Sequence, residues 1–128
     1  MQQRRPVPVG SVLVVEDDDE VAALVTEMME QLGYKVTRAA SAAAALGALS
    51  NGRVVDLVFS DIMMPGGMNG VDLAREIHRR RGNLPVLLTS GYAEAAEEGA
   101  GEEGVRVLPK PYRLDELAAA LRTVIAPH

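Results

Sequence analysis

The chain contains no cysteine and no tryptophan, and aromatic residues make up only 3% of its 128 residues. The absence of cysteine excludes disulfide bonds, thiol nucleophiles and cysteine-based metal sites, and it is consistent with a reducing compartment. Because aromatic residues are scarce, we expect valine, leucine, alanine, isoleucine and methionine to form the core.

Long apolar runs and an excess of positive charge are also missing. No apolar run approaches the ~18–20 residues of a membrane span, and the N-terminal Met-Gln-Gln-Arg-Arg-Pro lacks the apolar stretch of a signal peptide. The net charge of −5 is the opposite of the basic balance that nucleic-acid binding requires. We therefore expect a cytoplasmic protein that does not associate with membranes or bind nucleic acid directly.

The size and composition indicate one globular domain. A chain of 128 residues with 48% apolar and 24% charged residues is ordinary for a globular protein with a single core. Residues 1–10 contain two prolines and a glycine and are predicted to form an N-terminal tail. Residues 11–126 are predicted to form the domain.

Short apolar runs alternate with segments of helical spacing. The runs predict strands over 12–15, 34–39, 54–60, 84–89 and 105–108, with 34–39 at a sheet edge. Between them, apolar residues at +3 and +4 spacing predict helices, including an alanine-rich helix capped by Ser41 and a short or mobile helix within 93–104. The order βαβαβαβαβα predicts an α/β fold with a parallel sheet covered on both faces.

Polar side chains follow four of these predicted strands. They are Glu16 and Asp17 after the first, Asp61 at the end of the third, Ser90 at the end of the fourth, and Lys110 after the fifth. In an open parallel sheet the carboxyl ends of the strands meet at one crevice, where ligands bind. We therefore expect these side chains to lie together.

The acidic residues of this group require a compensating charge. Two unit charges ~4 Å apart repel by about 4 kcal/mol at an effective dielectric constant of ~20. An all-oxygen site with few protein ligands suits Mg²⁺. A phosphoryl group on Asp61 would have the cation on one side, with Lys110 and Ser90 as donors for its other oxygens. For the neighbouring Asp18 to Glu20, a role at a helix N-terminus is an equally good interpretation.

The segments LVVEDDDEV, LVFSDIMMPGGMNGVDLA, PVLLTSGYA and VLPKPY occur in this order over nearly the whole chain. Together they resemble the receiver domain of two-component response regulators, and LTSGY and KPY are most similar to receivers of hybrid histidine kinases. The resemblance implies a flavodoxin-like (βα)5 fold, a doubly wound parallel five-stranded sheet of strand order 2-1-3-4-5.

The resemblance also implies a role for each polar residue at the strand ends. It implies a phosphoacceptor Asp61, Mg²⁺ ligands Glu16, Asp17, Asp61 and the backbone carbonyl of Met63, a hydroxyl switch residue Ser90, and a phosphate-contacting Lys110. A histidine kinase or histidine phosphotransfer protein would donate the phosphoryl group. The receiver would catalyse much of that transfer itself, dephosphorylate slowly, and change a protein-interaction surface without being an enzyme in the ordinary sense. A homodimer is also compatible with the resemblance.

Two positions complicate this interpretation. Val107 stands three residues before Lys110, where the family often has an aromatic residue that reports phosphorylation, so the output mechanism is open, and Tyr112 is a candidate substitute. Thr89 competes with Ser90 for the hydroxyl role, although family spacing from Pro85 favours Ser90. Because a strand alternates its faces, only one of the two should point toward Asp61.

Three other classes of function fit the sequence less well. An aspartyl-phosphate hydrolase would need a second acid two residues after Asp61, where Met63 stands, and a cap domain for which the chain has no room. A flavin or nucleotide carrier would need a phosphate cradle after the first strand, where this chain has five consecutive acids. A receiver-like interaction module that is not phosphorylated is disfavoured because every expected site group is present.

Overall fold

The computed structural model describes residues 9–63, 68–90 and 105–125. The strands are β1 Gly10–Val15, β2 Tyr34–Ala39, β3 Leu57–Asp61, β4 Val86–Ser90 and β5 Val105–Pro109. The helices are α1 Asp19–Gln31, α2 Ala42–Ser50, α3 Gly70–Arg80 and α4 Leu114–Val124. Within these ranges no helix is long and apolar enough to cross a membrane.

The five strands form one parallel sheet in the order β2-β1-β3-β4-β5. This order confirms the predicted flavodoxin-like topology and the predicted edge position of β2. From β1 the chain adds β2 on one side, and it then adds β3, β4 and β5 on the other side. The strand order therefore switches direction between β1 and β3, and sheets of this kind bind ligands at the carboxyl ends of the strands that flank such a switch point.

Apolar side chains pack on both faces of the sheet, as the continuous apolar runs predicted. On one face, alternate strand residues such as Leu13 and Val58 pack with α2 and α3. On the other face, residues such as Val14 and Phe59 pack with α1 and α4. The core is therefore two layers of aliphatic side chains that hold the strand ends in fixed positions.

Side-chain caps fix the starts of α1 and α2. The Asp18 carboxylate accepts hydrogen bonds from the backbone N–H groups of Glu20 and Val21 at the start of α1. Ser41 accepts one from Ala44 N at 3.0 Å, which confirms its predicted role as the cap of α2. After α1, Gly33 adopts a φ of +97°, a conformation that favours glycine, and the chain turns into β2.

Strand β3 begins later than predicted. The apolar run suggested a strand from residue 54, but β3 begins at Leu57 and the Val54 side chain is 78% exposed. Asp56 instead ties this segment to β1, because its backbone N–H donates to Ser11 O and its carboxylate accepts from Ser11 N, both at 2.8 Å. The predicted helix within 93–104 and most of the predicted tail lie outside the described residues.

Candidate functional site

Asp61 and Lys110 form a close ion pair at the carboxyl edge of the sheet. The Lys110 Nζ lies 2.7 Å from Asp61 Oδ2. Asp61 is the last residue of β3, and Lys110 follows β5, where its backbone N–H donates to Ser90 O at 2.9 Å. The Lys110–Pro111 peptide bond is cis. The fold thus joins residues 49 positions apart in the sequence.

The second oxygen of Asp61 also has a partner. Asp61 Oδ1 accepts a hydrogen bond from the backbone N–H of Met63 at 3.1 Å. The carboxylate is therefore held from two sides, by a lysine ammonium and by the chain that follows β3. The proposed role of the Met63 carbonyl as a metal ligand stays a prediction.

Glu16 is the buried acid of the site, with only 8% of its surface exposed. Burial raises the pKa of Glu16, and the negative charges of Asp61 and Asp17 raise it further. A hydrogen bond from the Asp18 backbone N–H to Glu16 Oε2, 3.1 Å long, and the Lys110 charge act in the opposite direction on this pKa. Burial therefore makes ionised Glu16 less favourable than an exposed glutamate, and a cation nearby would offset this effect.

The acidic groups supply a donor set that fits a hard divalent cation. The pKa of Glu16, raised first by burial, is raised further by the negative charges of Asp61 and Asp17, as is expected of acids that lie near one another. Over residues 9–63, 68–90 and 105–125, no three His, Cys, Asp or Glu side chains form a group that could hold a metal ion by themselves. An incomplete set of carboxylates suits Mg²⁺, which usually keeps several of its waters. Asp18 does not belong to the set, because it caps α1.

Arg38 is a residue of the site that the sequence analysis missed. Its Nε and Nη2 donate to the backbone carbonyl of Glu16 at 2.9 and 2.7 Å, and its Nη1 donates to Asp19 Oδ1 at 2.9 Å. Nothing in the sequence marks this arginine, because an isolated basic residue on an edge strand is ordinary. Only the pairing of β1 with β2 brings it to the acidic loop.

The two hydroxyl residues of β4 differ in their register. Thr89 is paired in register with Asp61 of β3, whereas Ser90 is paired in register with Pro109 of β5. Partners in register share a face of the sheet, and Thr89 lines a small cavity of about 20 Å³ together with Glu16, Asp61 and Lys110. Thr89 Oγ1 has no hydrogen-bond partner within the described part of the chain.

Ser90 is 1% exposed and lies one residue further along the strand, at its end. Its carbonyl is the group that accepts from Lys110 N. A backbone hydrogen bond thus links Ser90, the predicted switch residue, to Lys110. The register of β3 and β4 puts the Thr89 side chain on the same face of the sheet as Asp61. The assignment of the hydroxyl role to Ser90 stays a prediction.

Tyr112 closes the crevice on the side of α4. Its ring meets Phe59 edge-on, with centroids 6.2 Å apart and planes at 89°. Burial raises the pKa of Tyr112 to about 12, with additional contributions from the negative charges of Asp61 and Glu16. Val107, in contrast, packs against the core layer that contains α2 and α3. Of the two positions considered for reporting a change at Asp61, only Tyr112 therefore lines the same cavity.

The parallel sheet of order β2-β1-β3-β4-β5 makes this a flavodoxin-like domain, with acidic residues and an aspartate–lysine pair at the carboxyl edge of the sheet. The sequence profile of the response regulator receiver domain matches residues 12–122. The chain belongs to this family, the receiver domains of two-component response regulators.

Individual relatives agree with this result. The sensor kinase CckA of Brucella abortus is 35% identical over 119 residues, which is 91% of this chain and 12% of CckA. The DNA-binding transcriptional regulator NtrC of a Bradyrhizobium species is 33% identical over 126 residues, 94% of this chain and 25% of NtrC. The match to a sensor kinase confirms the expected similarity to receivers of kinases.

A solved structure extends the similarity to the fold. The response regulator TrrA of Thermotoga maritima, solved in complex with Mg²⁺ and BeF, has a TM-score of 0.80 and 26% identity, covering 91% of this chain and 99% of that one. The present chain thus spans nearly all of TrrA, but only a minor part of the two curated relatives, 12% and 25% of their lengths.

Proposed function

We propose that the chain is a phosphoacceptor switch in which Asp61 receives a phosphoryl group in a Mg²⁺-dependent reaction. The observation that carries the proposal is the Lys110–Asp61 contact of 2.7 Å beside the buried acid Glu16. The carboxylate is the nucleophile, and its phosphoryl product needs a cation and hydrogen-bond donors for its oxygens. The Lys110 ammonium, which pairs with this carboxylate, would be one such donor.

The Mg²⁺ ion would be held by Glu16, Asp17 and Asp61, with the Met63 carbonyl as a further ligand. It would neutralise charge on the acceptor and on the incoming phosphoryl group. Support comes from the oxygen-only donor set and from the electrostatic coupling of the three carboxyl groups. The Mg²⁺ and BeF complex of TrrA shows that a protein of this fold and family takes such groups.

Phosphorylation would draw Lys110 and the hydroxyl of Ser90 toward the new phosphoryl oxygens. The backbone hydrogen bond from Lys110 N to Ser90 O couples the ends of β4 and β5, so that both would move together. The switch unit would span residues 11–126 and dephosphorylate slowly on its own. The altered surface would then bind a protein partner differently, as a bistable element biased by one charged group.

The phosphoryl donor would be a phosphohistidine on a histidine kinase or phosphotransfer protein. The match to the sensor kinase CckA supports this class of donor. Direct nucleic-acid binding is not part of the proposal, because the chain carries a net charge of −5 and spans only 25% of the DNA-binding relative NtrC. A homodimer is compatible with it.

The test is intact-protein mass spectrometry after incubation with acetyl phosphate, with and without Mg²⁺. We expect one added phosphoryl group in the parent protein only with Mg²⁺, and none in Asp61→Asn. The matched control is Asp115→Asn, because Asp115 is an exposed aspartate in the first turn of α4. Equal phosphorylation of Asp61→Asn and the parent protein would refute the assignment of the acceptor.

If the parent shows no adduct, the same proteins are titrated with beryllofluoride and Mg²⁺, which form a stable substitute for the phosphoryl group. Binding by the parent but not by Asp61→Asn would mean that the adduct is short-lived. Absence of binding to both would favour the interaction module that is not phosphorylated.

A further inference from the structure

We propose that Arg38 is a positioning residue for the divalent cation, and that it acts by fixing the peptide group between the proposed ligands Glu16 and Asp17. This inference rests on the proposed function, because it concerns the same metal site. It adds a residue on β2, a strand that contributes none of the proposed ligands.

The geometry of the Arg38 contacts is that of a clamp on a single carbonyl. The Nε and Nη2 atoms of the guanidinium donate to the Glu16 carbonyl oxygen at 2.9 and 2.7 Å. A carbonyl oxygen has two lone pairs, so the planar fork of the arginine satisfies both. Both lone pairs of the Glu16 carbonyl oxygen are therefore occupied by hydrogen bonds. The cation would be bound by the carboxylates instead.

The same side chain also holds the far end of the acidic loop. Its Nη1 donates to Asp19 Oδ1 at 2.9 Å, and Asp19 is the first residue of α1. Arg38 thus spans the connection from the end of β1 to the start of α1. Glu16 carries the first point of attachment, and Asp17 lies between it and the second, Asp19.

The sheet determines that Arg38 can reach this position. Arg38 pairs in register with Val14, near the carboxyl end of β1, and Glu16 N continues the pairing by donating to Ala39 O at 3.0 Å. Lys35 lies on the same strand but pairs with Ser11, near the other end. At ~3.3 Å per residue the two basic residues are roughly 10 Å apart along the strand, which makes Lys35 a matched control.

Charge and positioning predict opposite effects of removing Arg38. A guanidinium near a cation site repels the cation, so that loss of its charge alone would tighten Mg²⁺ binding. Loss of an outer-shell partner that orients ligands typically weakens metal binding by about 10–100-fold. We expect Arg38→Met to weaken Mg²⁺ binding by about tenfold, at the lower end of that range.

The experiment is calorimetric titration of Mg²⁺ into the full chain and three variants. Arg38→Met should bind about tenfold more weakly, and Arg38→Lys should be intermediate, because its ammonium can still donate to the Glu16 carbonyl but lacks the planar fork. Lys35→Met should bind like the parent protein. In parallel, the phosphorylation rate of Arg38→Met with acetyl phosphate should recover to the parent rate at saturating Mg²⁺.

Each outcome decides the question. Mg²⁺ binding by Arg38→Met that equals or exceeds that of the parent protein overturns the inference alone, and so does a phosphorylation defect that saturating Mg²⁺ does not restore. If circular dichroism shows that Arg38→Met is unfolded, Arg38→Lys carries the same comparison. If the parent protein itself binds no Mg²⁺, the metal step of the proposed function fails and the inference fails with it.

Discussion

The Lys110 ammonium lies 2.7 Å from Asp61 Oδ2, so the carboxylate that we propose as the phosphoryl acceptor is paired with a cation in this structure. The pair is partly exposed, and Lys110 also lowers the pKa of the buried neighbour Glu16. The lysine therefore neutralises part of an acidic cluster in the resting protein. A phosphoryl group or a cation at Asp61 would have to compete with this contact or use it.

Replacing Lys110 by methionine should show separately how this lysine affects stability, Mg²⁺ binding and the response to beryllofluoride. The free energy of unfolding should change by no more than about 1 kcal/mol, because partly exposed ion pairs contribute little. Mg²⁺ should bind severalfold more tightly, since a competing cation has been removed, which is the opposite sign to that expected for Arg38→Met. Spectral changes induced by beryllofluoride, followed by nuclear magnetic resonance, should shrink near β4 and β5. Weaker Mg²⁺ binding in Lys110→Met would contradict this view of the pair.

The two hydroxyls of β4 can be distinguished by paired substitutions. Thr89→Val should raise the free energy of unfolding by about 1 kcal/mol, because a buried hydroxyl with no hydrogen-bond partner in the described ranges carries a desolvation cost of about 1–3 kcal/mol. Ser90→Ala should leave phosphorylation of Asp61 intact but reduce the structural response to beryllofluoride. Urea unfolding and nuclear magnetic resonance measure the two effects. A response lost in Thr89→Val and retained in Ser90→Ala would transfer the role to Thr89.

The end of β3 passes so close to Gly70 that it leaves no room for a side chain there. A Cβ at this position would lie 2.4 Å from the Asp61 carbonyl oxygen and 2.9 Å from Ile62 Cα. Both are backbone atoms, so Gly70→Ala should destabilise the protein by about 3 kcal/mol and slow phosphorylation of Asp61. Gly47→Ala is the control, because nothing lies within 4 Å of its Cβ in α2, and it should stabilise by about 0.5–1 kcal/mol. Equal urea midpoints for the two variants would show that the close approach is not limiting.

The contribution of Glu76 should depend on pH. Hydrogen bonds from Arg79 and Arg80 lower the pKa of Glu76 to about 2 from its ordinary value of 4.5. Because the pKa of the folded state is the lower one, the stabilisation is present above pH 4.5 and is lost as the pH falls toward 2. The difference in urea midpoint between the parent protein and Glu76→Gln should therefore be constant near neutrality and shrink below about pH 4.5. A difference that stays constant down to pH 3 would argue against the pairing in solution.

Several features of the fold could be predicted from local patterns. The alternation of apolar runs with helical spacing predicted the parallel α/β fold, and a short hydroxyl side chain before an alanine-rich run predicted the cap at Ser41. These signals depend on residues close together in the chain. The early start assigned to β3 shows their limit, because Val54 is as apolar as the residues of β3 but is exposed, and the adjacent Asp56 bonds to Ser11.

The sequence by itself determined which side chains stand at the strand ends: the acids after β1, Asp61 on β3, the hydroxyls on β4 and Lys110 after β5. Tertiary structure alone decided which of them meet. The register of β3 against β4 sets Thr89 rather than Ser90 opposite Asp61. Pairing of β1 with β2 brings Arg38 to the Glu16 carbonyl. The physical reason is that hydrogen bonds between strands far apart in the chain determine which residues are paired. The residue pattern within one strand does not specify that register.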